Sequence, residues 1–99
     1  MGKRELLTEQ QLKETLEGLS KWELAEGNLR REYQFADFVH AFGFMAAAAV
    51  TVEAMNHHPN WSNVWNRVTI ELWTHDAGGI TAMDTELAAK LEVLAEKML

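Results

Sequence analysis

Four histidines in a chain of 99 residues without cysteine mark where chemistry could sit. His57 and His58 are adjacent and followed by Pro59. His75 stands alone between Thr74 and Asp76, Asp84 follows it, and Glu53 lies one helical turn before His57. Imidazole has the unperturbed pKa nearest neutrality, so it can donate or accept a proton without heavy tuning. Each residue also has a plainer role. His57 and His58 would place partial positive charge at a helix C-terminus, with Pro59 as the stop. Asp84 would complete a capping box, Glu53 would be a solvated residue or an i,i+4 partner, and Trp61 and Trp65 would be core or edge-strand aromatics. Taken singly, these structural roles suffice, and His40, with no motif around it, is read as structural.

Other chemistries find less support. Glu53 and His57 share a helical face, and three histidines could in principle complete a zinc site. Against it, the side chains of consecutive residues diverge, and no H-E-x-x-H arrangement is present. There is no G-x-S-x-G elbow for a serine nucleophile and no glycine-rich phosphate loop after a strand. Without cysteine there is no disulfide framework, thiolate metal site or cysteine nucleophile.

Composition narrows the class further. Fifteen acidic against nine basic residues give a net charge of −6, which argues against direct nucleic-acid contact, since that affinity rests on Lys and Arg. No apolar run reads as the ~18 to 20 residues that span a bilayer, and the N-terminus turns polar before a signal-peptide core could form. A cytoplasmic protein with no membrane association is expected. Residues 1–99 read as one domain, with no repeat or linker, and a chain this short needs neighbouring subunits to help shape a deep pocket.

The elements that must position these residues are legible. Thr8 and Gln11 form a T-x-x-Q capping box, with Leu7 and Leu12 as a hydrophobic staple, and Leu12, Leu16 and Leu19 recur at helical spacing. A helix over 8–19 follows. Trp22 to Leu24 and Leu29 to Phe35 read as a hairpin about Gly27-Asn28, with Leu29, Tyr33 and Phe35 inward. Asp37 caps a long helix ending near Asn56, whose expected buried stripe is Phe38, Phe42, Met45, Ala49 and Val52. Gly43 and Ala46 to Ala49 thin its middle, which suits close approach of a second helix, although alanine needs no partner to be helical. Residues 63–74 alternate, with Val64, Val68, Ile70 and Leu72 on one parity and Asn66-Arg67 as the favoured turn of a second hairpin. Thr81 with Asp84 caps a last helix bearing Leu87, Leu91, Leu94 and Met98. The order α-β-β-α-β-β-α implies an α+β two-layer sandwich, a four-stranded antiparallel sheet with three helices on one face.

The segment Glu53-Ala54-Met55-Asn56-His57-His58-Pro59, then Trp65, Thr74-His75 and Asp84, resembles the signature of the pterin-4a-carbinolamine dehydratases. That signature is an acidic residue, three positions, His-His-Pro, an aromatic, a later His and then an Asp. Asp37-Phe38 with Ala41-Phe42-Gly43-Phe44-Met45 is similar to the family's long helix, and the likeness covers essentially the whole chain. The combined pattern outweighs the structural roles assigned to the histidines one by one. Trp65 departs from it, standing where the family commonly has tyrosine.

The resemblance implies dehydration of a 4a-hydroxytetrahydropterin to the quinonoid dihydropterin, a step that recycles the pterin used by aromatic amino acid hydroxylases. No metal or organic cofactor is implied. His57 and His75 are then expected as acids on the departing hydroxyl, and His58 as a base or a group that binds and polarises the pterin. Asp84 is expected to orient His75. Glu53, with backbone around Pro59 and Thr74-His75-Asp76, is expected to hold the ring. Family members assemble through the long helix, so a homotetramer or homodimer around Phe42, Met45, Ala46 and Ala49 is expected. Animal relatives also act as dimerisation cofactors of a transcription factor, which makes a protein-binding module the alternative. A His/Glu metal hydrolase stands behind both.

Overall fold

The Thr8 capping box forms in full. Thr8 Oγ1 accepts the Gln11 N–H at 3.1 Å and Gln11 Oε1 accepts the Thr8 N–H at 2.9 Å, opening α1 (Glu9–Gly18). The computed structural model describes residues 3–99. Strands β1 (Glu23–Ala25) and β2 (Asn28–Gln34) follow as an antiparallel pair. Because Ala25 pairs with Asn28, the turn is Glu26-Gly27, one residue earlier than expected. Both turn residues have positive φ, 54° and 83°, the left-handed geometry that matches strand twist in two-residue hairpins.

Asp37 caps α2 (Phe38–Met55), its Oδ1 accepting the His40 N–H at 2.9 Å. The helix is largely apolar, with mean hydropathy 1.5 over 18 residues, so by length and composition it could cross a membrane, contrary to the expectation that no run is long enough. Such a helix does not declare its inner face by periodicity. The buried stripe is Ala41, Phe44, Ala48 and Val52, whereas Phe38, Phe42 and Ala49, expected inside, are exposed. Of the expected stripe, Val52 is buried and Met45 half-buried.

Beyond Pro59 run β3 (Asn60–Val64) and β4 (Arg67–Leu72), so this hairpin begins three residues before the expected start at Asn63. Its turn is Trp65-Asn66, not Asn66-Arg67, and Trp65 is held at φ 50°. Asn63 Nδ2 donates to the carbonyls of Trp65 and Arg67 at 3.0 and 2.8 Å, and Asn66 Nδ2 donates to the Phe35 carbonyl at 3.0 Å. A two-residue turn pairs positions of opposite parity, so Trp61 and Asn63 face the same side as Ile70 and Val68. Val64 therefore points away from the core, contrary to expectation.

Sheet order is β1-β2-β4-β3. On one face Leu29, Tyr33, Val68, Ile70 and Leu72 are buried under α2 and α3 (Ala82–Glu96), and Leu12 and Leu16 of α1 pack half-buried against the same core. The opposite face carries Arg30 across from Glu71 and Glu32 across from Thr69. Thr81 caps α3 through a second capping box, and Leu87 and Leu91 are buried with Leu94 and Met98 at the margin, as the sequence predicts. The α+β two-layer arrangement of three helices on a four-stranded antiparallel sheet is thus the observed one.

Candidate active site

Three element ends meet beside β3. Asn56 ends α2 in the left-handed conformation (φ 50°), and the His57 N–H still reaches the Val52 carbonyl at 3.2 Å. This turn aims His57 inward and leaves His58 at the surface. After β4, Thr74 donates its N–H to the Gly79 carbonyl at 2.8 Å, enclosing a single 3₁₀ turn, His75–Ala77. Gly78 closes that turn at φ 75°, a conformation open to glycine without steric cost. Thr81 then begins α3.

Asp84, fully buried, is the junction of the three ends. Its Oδ2 accepts the Thr81 N–H at 2.8 Å and the Thr74 hydroxyl at 2.9 Å. Thr81 donates its hydroxyl to Thr74 Oγ1 at 2.7 Å while accepting the Met83 N–H at 3.2 Å. With Oδ2 occupied, Oδ1 meets His57 Nε2 at 2.6 Å. Asp84 is acceptor-only as a carboxylate, so the ring proton of His57 sits on Nε2 and Nδ1 is the remaining nitrogen. His57 is only 6% exposed. The arrangement is the carboxylate–imidazole pairing that fixes the ring's tautomer and orientation.

His57 lines a pocket of about 310 Å³ together with His58, His75, Asp76, Trp73, Asn56, Asn60, Thr74 and Arg4. His58 Nε2 donates to Glu53 Oε1 at 3.0 Å, both groups being solvent-exposed. His75 lies against Trp73, ring centroids 4.6 Å apart and tilted 36°. All three histidines expected to act therefore border one cavity. Two are held by different carboxylates, His57 by Asp84 and His58 by Glu53.

Several expectations need correction. Asp84 orients His57, not His75, because the Thr81 cap turns the carboxylate toward the end of α2; being fully buried behind His57, it cannot touch a ligand. Thr74 borders the pocket, but its hydroxyl belongs to the Asp84 network and its backbone closes the bridge with Gly79. Glu53 reaches the pocket only through His58, and Pro59 sits between two lining residues, His58 and Asn60, without lining it itself. Trp65 lies at the far turn of the β3–β4 hairpin, 65% exposed, and Trp73 is the aromatic that lines the site. Arg4, Asn56, Asn60 and Trp73 were not foreseen. Trp73 directly precedes the Thr74-His75 pair, a proximity that could have flagged it, whereas nothing in the sequence links Arg4 to residues more than fifty positions away.

The sequence profile of the family described as pterin 4 alpha carbinolamine dehydratase matches residues 5–94. The chain belongs to this family. A Solibacter usitatus protein named as a pterin-4-alpha-carbinolamine dehydratase is 61% identical over 89 residues, covering 90% of this chain and 94% of its own. A Rhizobium etli protein of the same name is 43% identical, the match covering 98% of each chain. The crystal structure of a Brucella melitensis protein, described as a transcriptional coactivator/pterin dehydratase, superposes with a TM-score of 0.87 at 41% identity, covering 90% of this chain and 97% of that one. For a pterin dehydratase, the His57–Asp84 pair at the base of a three-histidine pocket is the part of the fold to examine for chemistry.

Proposed function

We propose that this chain is a hydro-lyase that dehydrates a 4a-hydroxytetrahydropterin to the quinonoid dihydropterin and water. The observation that carries the reading is the buried Asp84 carboxylate 2.6 Å from His57 Nε2, at a pocket shared with His58 and His75. The reaction breaks the C4a–O bond as the hydroxyl takes up a proton and leaves as water. The N5 proton is lost, and the N5 electron pair forms the N5=C4a double bond. One group must give a proton and another must take one.

His57 gives the proton from Nδ1, the nitrogen that remains when Asp84 holds Nε2. His58, whose Nε2–H is engaged by Glu53, presents Nδ1 as the base for the N5 proton. His75, against Trp73, serves as a second donor. Asp76, Asn56 and Asn60 supply acceptors and amides for the ring's hydrogen-bonding edges. Positioned proton transfer of this kind contributes roughly 10²–10⁴-fold. The reading takes the protein to work in the cytoplasm without a cofactor.

The exposed apolar side of α2, with Val39, Phe42 and Val50 more than half exposed, supports assembly as a homotetramer or homodimer through that helix. It also favours the second reading, a protein-binding role, because the same face could receive another partner.

The test is the rate at which the purified protein dehydrates chemically generated 4a-hydroxytetrahydropterin. Wild type should accelerate the step, and His57→Ala should lower kcat by about 10²-fold. A wild-type rate equal to the spontaneous one would reject the dehydratase.

A further inference from the structure

Arg4 is the one permanent cation lining the histidine pocket among the described residues, and Asp76 is the one carboxylate there. Arg4 comes from the segment before α1, far in sequence from the rest of the site, and that segment is tied down on both sides of it. Upstream, Lys3 Nζ meets Glu86 Oε2 of α3 at 3.2 Å. Downstream, Leu6 pairs with Thr81 in an antiparallel bridge, and the Leu7 N–H donates to the Ile80 carbonyl at 2.9 Å. Leu6 lies over Gly79, where a Cβ would come within 2.9 Å of the tip of the leucine side chain, Cδ2. The strap thus crosses the Gly79–Thr81 connection that leads into the Asp84 network. Its guanidinium is left with no hydrogen bond or ion pair to any described residue, in a chain of net charge −6 where carboxylates are plentiful.

We propose that Arg4 is a specificity residue, and that the site prefers a pterin whose ring substituent carries an anionic group, phosphate or carboxylate, over one with a neutral side chain. This rests on the dehydratase reading and adds the substrate class to it. The histidines and Asp76 deal with a ring that offers N–H donors and loses water, and neither task calls for a fixed cation. A guanidinium offers a forked set of donors that matches the oxygens of phosphate and carboxylate. Because Arg4 is exposed, its contribution is that of a solvated ion pair, roughly fivefold in affinity and weakened by salt.

Binding of matched probes, read by pterin fluorescence, tests the assignment. The first pair is 7,8-dihydroneopterin against its 3′-monophosphate, and the second is 6-methylpterin against pterin-6-carboxylate. At low ionic strength the wild-type protein should bind at least one anionic member roughly fivefold more tightly than its neutral partner, and the pair that responds identifies phosphate or carboxylate as the anion. High salt should shrink the preference, Arg4→Gln should abolish it and Arg4→Lys should keep part of it. Equal binding within both pairs by wild type, or a preference that survives Arg4→Gln, would overturn the proposal. Dehydration of a neutral carbinolamine by the same wild-type preparation keeps the two readings apart. Catalysis without an anionic preference removes Arg4 alone, whereas no catalysis of either neutral or phosphorylated carbinolamine removes the dehydratase.

Discussion

Asp84 and Glu92 stand roughly two turns apart on α3 and both turn toward the core, yet the groups gathered around them differ in kind. Asp84 is met by the Thr74 hydroxyl, the Thr81 N–H and a histidine that opens on a pocket. Glu92 Oε1 accepts from the Tyr33 hydroxyl at 2.7 Å, Trp22 Nε1 at 3.0 Å and Arg31 Nε at 3.2 Å. The Arg31 guanidinium in turn lies over the Tyr33 ring, 4.1 Å from its centre. Burial alone would raise the Glu92 pKa, but the hydrogen bonds from Arg31, Tyr33 and Trp22 outweigh it and hold the carboxyl below the usual range. Burial and the Glu92 carboxylate together push the Tyr33 hydroxyl well above its ordinary value. Glu92 has a charge partner and fixed donors from β2 and the segment before β1, so it fastens the sheet to α3. Among the described residues Asp84 meets no Lys or Arg, and its titratable partner is His57. A buried carboxylate whose only titratable partner faces a pocket is placed for chemistry, and one enclosed by a cation and core donors is placed for stability.

The largest expected effect breaks the first network. Asp84→Asn keeps the shape but replaces an acceptor with a donor facing His57, so kcat for carbinolamine dehydration should fall by about 10²-fold or more. Single-turnover kinetics on folded protein check this, and a kcat within a factor of three of wild type would mean that the pair is merely structural.

Glu92→Ala should do the reverse. It strips three buried or half-buried donors of their acceptor and should cost about 3 kcal/mol in urea unfolding, with turnover per folded molecule retained. Glu92→Gln adds a pH signature. Because the folded-state pKa is depressed, the carboxylate's contribution is complete above the unfolded value of about 4.3 and is lost as pH falls through the lower folded value. The stability gap between wild type and Glu92→Gln should therefore be full at pH 6 to 7 and narrow below about pH 4. A gap independent of pH would remove the charge from the account.

The smallest effect concerns the exposed Glu53–His58 pair. Glu53→Gln should lower kcat only by about two- to fivefold and leave the urea midpoint unchanged, as expected of a solvated pair. A loss as large as that of Asp84→Asn would move His58 to the centre of the chemistry.

Much of this was readable in the residues. The two capping boxes, Asp37 as a cap, the end of α2 at Asn56 and the element order depend on local stereochemistry, and each forms as its residues dictate. The three histidines that the family resemblance singled out line one pocket. What was not readable depends on tertiary choice. A largely apolar α2 leaves its inner face to be selected by the sheet, so Phe44 goes in and Phe42 stays out. Moving the β3–β4 turn by one residue reverses Val64, since strand parity has no margin for such a slip. The Thr81–Asp84 capping box was visible, but the direction of the carboxylate's second oxygen was not, because it depends on where α2 stops relative to α3. Arg4 is brought to the pocket by a strap whose anchors are single contacts with distant residues.

The central pairing of β2 with β4 has a kinetic consequence. Its innermost rung joins Gln34 to Arg67, so α2 and β3 form the loop that must close before these strands can zip. His57 and His58 lie inside that loop, while His75 and Asp84 lie beyond it. The chain entropy of closure must therefore be overcome before the two halves of the site can meet. A fragment ending before β4 carries Arg4, Asn56, His57, His58 and Asn60 but lacks Trp73, Thr74, His75 and Asp76, and an excursion that unzips β2 from β4 would separate the two sets. The site is a product of the cooperative transition itself, and its integrity reports on the folding of the whole chain.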